Sequence, residues 1–173
     1  VDQLATASGD AILPFFRTSL SVENKSRGAS FDPVTAADRA AETAMRTLIR
    51  RHFPDHGVIG EEFGEERTDA EFVWVLDPID GTKAFITGLP IFGTLIALLH
   101  RGVPVLGIID QPISKERWVG VVGQGSTLNG RPIKVRACPG LDKAYMYSTA
   151  PQMFDGATAG RHQALAEKTK LFR

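Results

Sequence analysis

An α+β fold, with helices preceding a mainly antiparallel sheet, is what the sequence predicts. Early in the chain, apolar residues recur at helical spacing: Ala37, Ala40, Ala41, Ala44, Met45, Leu48 and Ile49 fall on one face. Beyond this stretch the pattern changes to short apolar runs parted by turn signals such as His100-Arg101-Gly102 and Asn129-Gly130. These runs follow one another too closely for parallel crossovers, so neighbours are expected to pair antiparallel.

Residues 2–20 carry spaced apolar side chains (Leu4, Ile12, Leu13, Phe15, Phe16) and read as a helix with Pro14 as its weak point. Residues 22–32 are polar, with Ser26, Gly28 and Ser30, and read as a loop. The strongest helix starts at Thr35, a good N-cap, and Asp38 suits the positive end of its dipole. Arg50, Arg51 and His52 suit the other end, and Pro54 stops it. Strands are expected over residues 56–59, 72–76, 94–99, 103–109 and 116–122, and a tight Asn129-Gly130 turn joins 126–128 to 131–133. Near Leu141 the character shifts: residues 144–149 read as a strand and 160–173 as a helix. The expected organisation is a first α+β domain over residues 1–142 and the start of a second, α/β, domain over 143–173.

With 173 residues, 43% of them hydrophobic, the chain can build one ordinary domain, or one and part of another. Lys+Arg and Asp+Glu both number 20, so there is no basic excess for nucleic acid or an anionic membrane. No apolar run is long enough to span a bilayer, and nothing reads as a signal peptide. The single cysteine, Cys138, excludes an internal disulfide and suits a reducing, cytoplasmic setting; its plain reading is a small residue before the Pro139-Gly140 turn. His52, His56, His100 and His162 are too scattered for a zinc set. Arg117, Arg131, Lys134 and Arg136 read as a solvated sheet face.

The chemistry concentrates where the 72–76 run ends. Asp77 stands at its tip, Pro78 fixes its own φ, and Asp80 is presented close to Asp77. Two carboxylates at one place repel and are costly to desolvate, and a polyvalent cation removes both penalties. Hard oxygen donors with no nearby Cys or His favour Mg²⁺ over Zn²⁺. Gly81 allows close backbone approach, Thr82 offers a hydroxyl and an N–H, and a helix starting here would present an anion site. A cation beside an anion cradle suits phosphoryl chemistry. Taken alone, Asp-Pro-Ile-Asp-Gly-Thr reads equally as a solvated turn. Glu61-Glu62, followed by Glu65 and Glu66, reads alone as a solvated loop, and Asp38 alone as a first-turn helix charge.

In combination, the ordered set FDPVTAADRAAE, VIGEEFG, WVLDPIDGTKAFITGLP and GTLIALLHRGVPVLGIIDQP resembles the inositol monophosphatase family of Mg²⁺-dependent, Li⁺-sensitive phosphatases. The likeness is dense over residues 25–112 and thinner to about residue 151. Within that family the chain is most similar to the histidinol-phosphate phosphatases, on Phe31-Asp32-Pro33-Val34-Thr35, Gly93-Thr94-Leu95-Ile96-Ala97-Leu98, Asp110-Gln111-Pro112 and Glu116-Arg117-Trp118. The resemblance implies a layered, sugar-phosphatase-like fold, about two or three Mg²⁺ ions per site, a homodimer, and hydrolysis of L-histidinol phosphate in histidine biosynthesis. It implies Glu61, Asp77 and Asp80 as metal ligands, joined by the Ile79 carbonyl. Asp80 and the amides of Gly81 and Thr82 would face the phosphate. Thr82 and Asp38 match the threonine and aspartate near the attacking water, Lys25 matches a lysine that positions water, and Glu62 is a weaker outer candidate. Family members continue into a further segment whose Trp-Asp motif completes the metal site. Here the only tryptophans are Trp74 and Trp118, neither followed by Asp, so the chain is expected to end in mid-domain. Rival readings keep the chemistry but change the substrate to inositol monophosphate, a 3′-nucleotide or a sugar bisphosphate. Others make the chain a non-catalytic metal- or phosphate-binding module, or an interaction protein reusing the fold.

Overall fold

The computed structural model describes residues 1–19, 21–24, 33–149 and 154–173. They form two compact units, Val1–Ile133 and Lys134–Arg173. The division falls ahead of the boundary expected after residue 142.

In the first unit, α1 (Asp2–Ile12) ends sooner than expected. Pro14 has no N–H for the helix ladder and its ring crowds the preceding turn, so Leu13–Phe15 tightens into a single 3₁₀ turn. The segment expected as a loop contains β1 (Val22–Asn24), paired antiparallel with β2 (Pro33–Thr35). Next comes α2 (Ala36–His52), capped as the sequence predicts. The Thr35 hydroxyl accepts the Ala37 N–H (3.2 Å), and Asp38 Oδ2 accepts both the N–H (2.8 Å) and the O–H (2.7 Å) of Thr35. This reciprocal cap satisfies donors that a helix start otherwise leaves orphaned.

The main sheet comprises β3 (Gly57–Gly60), β4 (Gly64–Glu66), β5 (Phe72–Asp80), β6 (Gly93–His100), β7 (Val103–Gln111), β8 (Glu116–Val121), β9 (Gly125–Leu128) and β10 (Arg131–Ile133). Their spatial order is β10-β9-β8-β7-β6-β5-β3-β4. Every neighbouring pair is antiparallel except β3 with β5. That exception corrects the expectation for this stretch. β4 makes the return leg at the sheet edge, the chain doubles back at Arg67 (φ 49°), and residues 67–71 reach β5 without a helical crossover. A short helix, α3 (Thr82–Ile86), follows β5.

One face of the sheet packs against α1 and α2. Leu4, Ala5, Met45, Ile49, Val58, Trp74, Leu76, Ile96 and Ile108 form the larger core cluster. A second cluster, Ile12, Ala37, Ala41, Ile79, Phe85 and Phe92, lies beneath α3. The opposite face carries an open apolar concavity of about 750 Å³, lined by Val75, Leu95, Ala97, Ile109 and Trp118, with Asp77 also on its wall.

At the start of β5, the His56 ring stacks on Phe53 (4.9 Å) and Phe72 (5.0 Å), and the Trp74 indole N–H donates to His56 Nδ1 (3.1 Å). Burial lowers the His56 pKa, opposed by the charge of Asp55. The neutral ring therefore contributes stability above the ordinary imidazole pKa, lost as pH falls through the lower folded value. Between about pH 7 and pH 5, the wild-type urea midpoint is expected to fall relative to that of His56→Gln. Parallel curves for the two proteins would refute this.

In the second unit, β11 (Tyr145–Met146) and β12 (Leu171–Phe172) pair in parallel, with α4 (Gly156–Ala166) between them in sequence. The expected strand over 144–149 is thus shorter, and the helix expected over 160–173 stops at Ala166. The Thr169 hydroxyl and N–H both reach the Ala166 carbonyl (2.7 and 3.0 Å), and the Lys170 N–H turns to the Ala144 carbonyl (2.9 Å). Among the described residues, no helix is long and apolar enough to cross a membrane.

Candidate active site

β5 enters the site through a bulge. Asp77 pairs with Leu95 and Asp80 with Gly93, so three steps on β5 match two on β6. In a regular strand, residues three apart point to opposite faces. The added residue restores the facing, and Asp77 and Asp80 take register positions on one side. Thr94, fully buried, fastens the bulge: its hydroxyl donates to the Pro78 carbonyl (2.8 Å) and bonds the Ser8 hydroxyl (2.7 Å). The single Thr94 hydrogen goes to the carbonyl, so Ser8 supplies the donor of the second bond. Thr94→Val preserves shape but strips both partners, and a loss of about 1–3 kcal/mol is expected in urea denaturation. Unchanged stability would show the bulge to be held otherwise.

Beyond Asp80, Gly81 takes a left-handed conformation (φ 88°) and opens α3; its carbonyl accepts the N–H groups of Ala84 (2.8 Å) and Phe85 (3.1 Å). The Thr82 hydroxyl donates to the Ile79 carbonyl (3.0 Å). Ile79 itself is buried in the core beside Ala37 and Phe85.

Glu61 sits in the turn between β3 and β4, and its N–H donates to the Leu76 carbonyl (3.2 Å), directly before Asp77. The Asp77 carboxyl is pushed up to about 8. Burial is the largest cause, followed by a hydrogen bond to Glu61 and then the negative charges of Glu61, Asp80 and Asp38. Burial and the neighbouring negative charge thus favour the protonated Asp77 carboxyl over the charged one. Its Oδ1 is buried with no hydrogen-bond partner. Among the described residues, no three carboxylate, imidazole or thiol groups form a finished cage. Glu61 and Asp77 touch, whereas Asp80 and Asp38 act on Asp77 through their charge. An orphaned buried carboxylate oxygen beside further carboxylates fits a hard divalent cation, which would satisfy the oxygen and offset the neighbouring negative charge.

Asp77 thus bonds Glu61 and lies within electrostatic reach of Asp80 and Asp38, with Ile79 at the end of β5 and Gly81 and Thr82 directly after it. Lys25 lies outside the described residues. Sequence reasoning missed two side chains behind the site. Glu42, fully buried on α2, accepts the N–H groups of Glu62 (2.7 Å) and Phe63 (3.2 Å) and pairs with Arg46 Nε (2.7 Å). The available signal was a row of charges, Asp38, Glu42 and Arg46, spaced four apart alongside the apolar stripe of α2.

The sequence profile of the inositol monophosphatase family matches residues 1–170. Among curated proteins the chain is similar to the bifunctional phosphatase IMPL2, chloroplastic, of Arabidopsis thaliana: 48% identical over 170 residues, covering 97% of this chain and 48% of that protein. It is also similar to a histidinol-phosphatase of Chlorobaculum parvum: 42% identical over 136 residues, covering 78% of this chain and 51% of that one. Among solved structures, an inositol monophosphatase from Zymomonas mobilis matches with a TM-score of 0.85 at 46% identity, over 99% of this chain and 66% of the other. The chain spans about half the length of the curated relatives it matches.

Proposed function

The chain belongs to the inositol monophosphatase family, and we propose that it supplies the metal- and phosphate-binding part of a Mg²⁺-dependent phosphomonoesterase acting on L-histidinol phosphate. The observation that carries this reading is the Asp77 carboxyl: one oxygen buried without a partner, in contact with Glu61 and raised in pKa by Asp80 and Asp38 as well. Glu61, Asp77, Asp80 and the Ile79 carbonyl would hold Mg²⁺. When bound, the ion supplies Lewis acidity toward the phosphoryl group and makes water more acidic.

The chain's own residues supply the rest. The N–H groups of Gly81 and Thr82, at the start of α3, donate to phosphate oxygens, with Asp80 alongside. Thr82 gives its hydrogen to the Ile79 carbonyl, which leaves its oxygen as an acceptor that orients the attacking water. Asp38, buried and held by two bonds from Thr35, would take that water's proton. Lys25 serves as an additional water-positioning group, and the assembled protein is a homodimer.

The substrate rests on the likeness to the Chlorobaculum histidinol-phosphatase. A second reading, inositol monophosphate, is favoured by the likeness to the Zymomonas structure. Phosphate release from a panel of monoesters, with and without Mg²⁺ and Li⁺, tests both, on this chain and on any longer polypeptide that carries it. Mg²⁺-dependent, Li⁺-sensitive release with preference for L-histidinol phosphate is expected. Preference for inositol monophosphate would favour the second reading, and release indifferent to Mg²⁺ would refute the metal assignment. No release from any ester would leave a binding module.

A further inference from the structure

We propose that Glu42, backed by Arg46, is a positioning residue that holds the Glu61 turn in its metal-binding place before any cation arrives. The inference rests on the magnesium reading above. Asp38, Glu42 and Arg46 follow at four-residue intervals on α2 and are 2%, 0% and 5% exposed. Asp38 lies at the site, and the other two lie behind it.

Glu42 Oε2 accepts the Glu62 N–H (2.7 Å), while Oε1 accepts the Phe63 N–H (3.2 Å) and Arg46 Nε (2.7 Å). Arg46 continues to the Gly64 carbonyl and to Glu66 Oε2 (3.5 Å). The turn is therefore gripped along its backbone: residue 61 on the Leu76 carbonyl, 62 and 63 on Glu42, and 64 on Arg46. The Glu61 side chain, in the same turn, bonds Asp77.

Packing alone does not account for the pair. An apolar pair of similar volume joins a helix to a sheet as well as a buried ion pair, or better. What an apolar pair lacks is the ability to accept two adjacent amides beside Glu61.

The test is Mg²⁺ binding measured by calorimetry on folded protein, with circular dichroism confirming the fold. Glu42→Gln is expected to weaken Mg²⁺ binding about tenfold or more and to raise the Mg²⁺ midpoint for activity by the same factor, with kcat at saturating Mg²⁺ little changed. Glu42→Asp keeps the charge but withdraws it by one methylene, and its affinity should fall between. A purely structural role would lower the melting temperature and leave the Mg²⁺ dissociation constant of the folded protein unmoved, which would overturn the inference. Hydrogen exchange on the wild type needs no variant: the amides of Glu62 and Phe63 should be protected before Mg²⁺ is added. If they exchange freely until Mg²⁺ binds, the turn is not held in advance and the inference fails. Wild-type protein that binds no Mg²⁺ overturns the magnesium reading and this inference together, whereas variants with wild-type affinity overturn the inference alone.

Discussion

Asp77→Asn is expected to reduce Mg²⁺-dependent phosphate release at least ~100-fold, the upper end of what losing even an outer partner of a metal ligand does. The same substitution should leave the metal-free protein as stable as wild type or more so, because Asn copies the protonated carboxyl without the charge. The pH dependence separates the two effects. The folded Asp77 pKa is raised from 3.8 to about 8, so between those values the folded chain keeps a proton that the unfolded chain releases. The stability contributed by that proton is fully present below the lower value and is lost as pH rises through the upper one. In chelator, the wild-type melting temperature should fall by several degrees as pH climbs across this window, and Asp77→Asn should lack that fall. Added Mg²⁺ competes with the same proton, so its affinity should rise toward pH 8, with proton release visible as buffer-dependent binding heat. Identical slopes in wild type and Asp77→Asn would remove the basis for placing the cation there.

Gly60→Ala is expected to cause a large loss of stability for a single added methyl, about 3 kcal/mol or more. A Cβ at Gly60 would lie 1.9 Å from Glu42 Oε1, 2.4 Å from Glu42 Cδ and 2.7 Å from Arg46 Nη2. These atoms have no room to retreat, since both side chains are buried and committed to the turn. The methyl must therefore part the ion pair or displace β3, and either leaves buried charge incompletely matched. Gly107→Ala is the control, because a Cβ there meets nothing within 4 Å. Urea denaturation should show Gly107→Ala near wild type, and an equally small effect at Gly60 would mean that Glu42 and Arg46 are looser than they stand.

Where one physical signal dominated, the fold was legible in the sequence. The stripe through Ala37, Ala41, Met45 and Ile49 placed α2, and Thr35 with Asp38 marked its start. The apolar runs flanking His100-Arg101-Gly102 placed β6 and β7. β4 was not legible because Gly64-Glu65-Glu66 has no apolar residue to alternate, and at a sheet edge it needs none. The parallel pairing of β3 with β5 was hidden for the same reason, since only β4 accounts for the return leg. The end of α4 depended on Thr169 reaching back to Ala166, a contact that periodicity does not encode. At the site, Asp77 and Asp80 stood out because carboxylates at a strand tip carry an obvious electrostatic penalty. Glu42 did not, because a Glu four residues before an Arg on a helix is ordinarily an exposed pair. Its burial arises from the turn that folds over it.

The bulge in β5 does more than set which way two acids face. A segment shorter by one residue, running Asp-Xaa-Asp, would also aim both acids the same way with no irregularity at all. The extra length instead exempts Pro78 and Ile79 from pairing with β6, and their carbonyls bond the hydroxyls of Thr94 and Thr82. Each such oxygen retains a second lone pair. The segment thereby gains main-chain oxygen that point substitutions can scarcely erase, and deletion of a single residue is the change that would return it to the neighbouring strand.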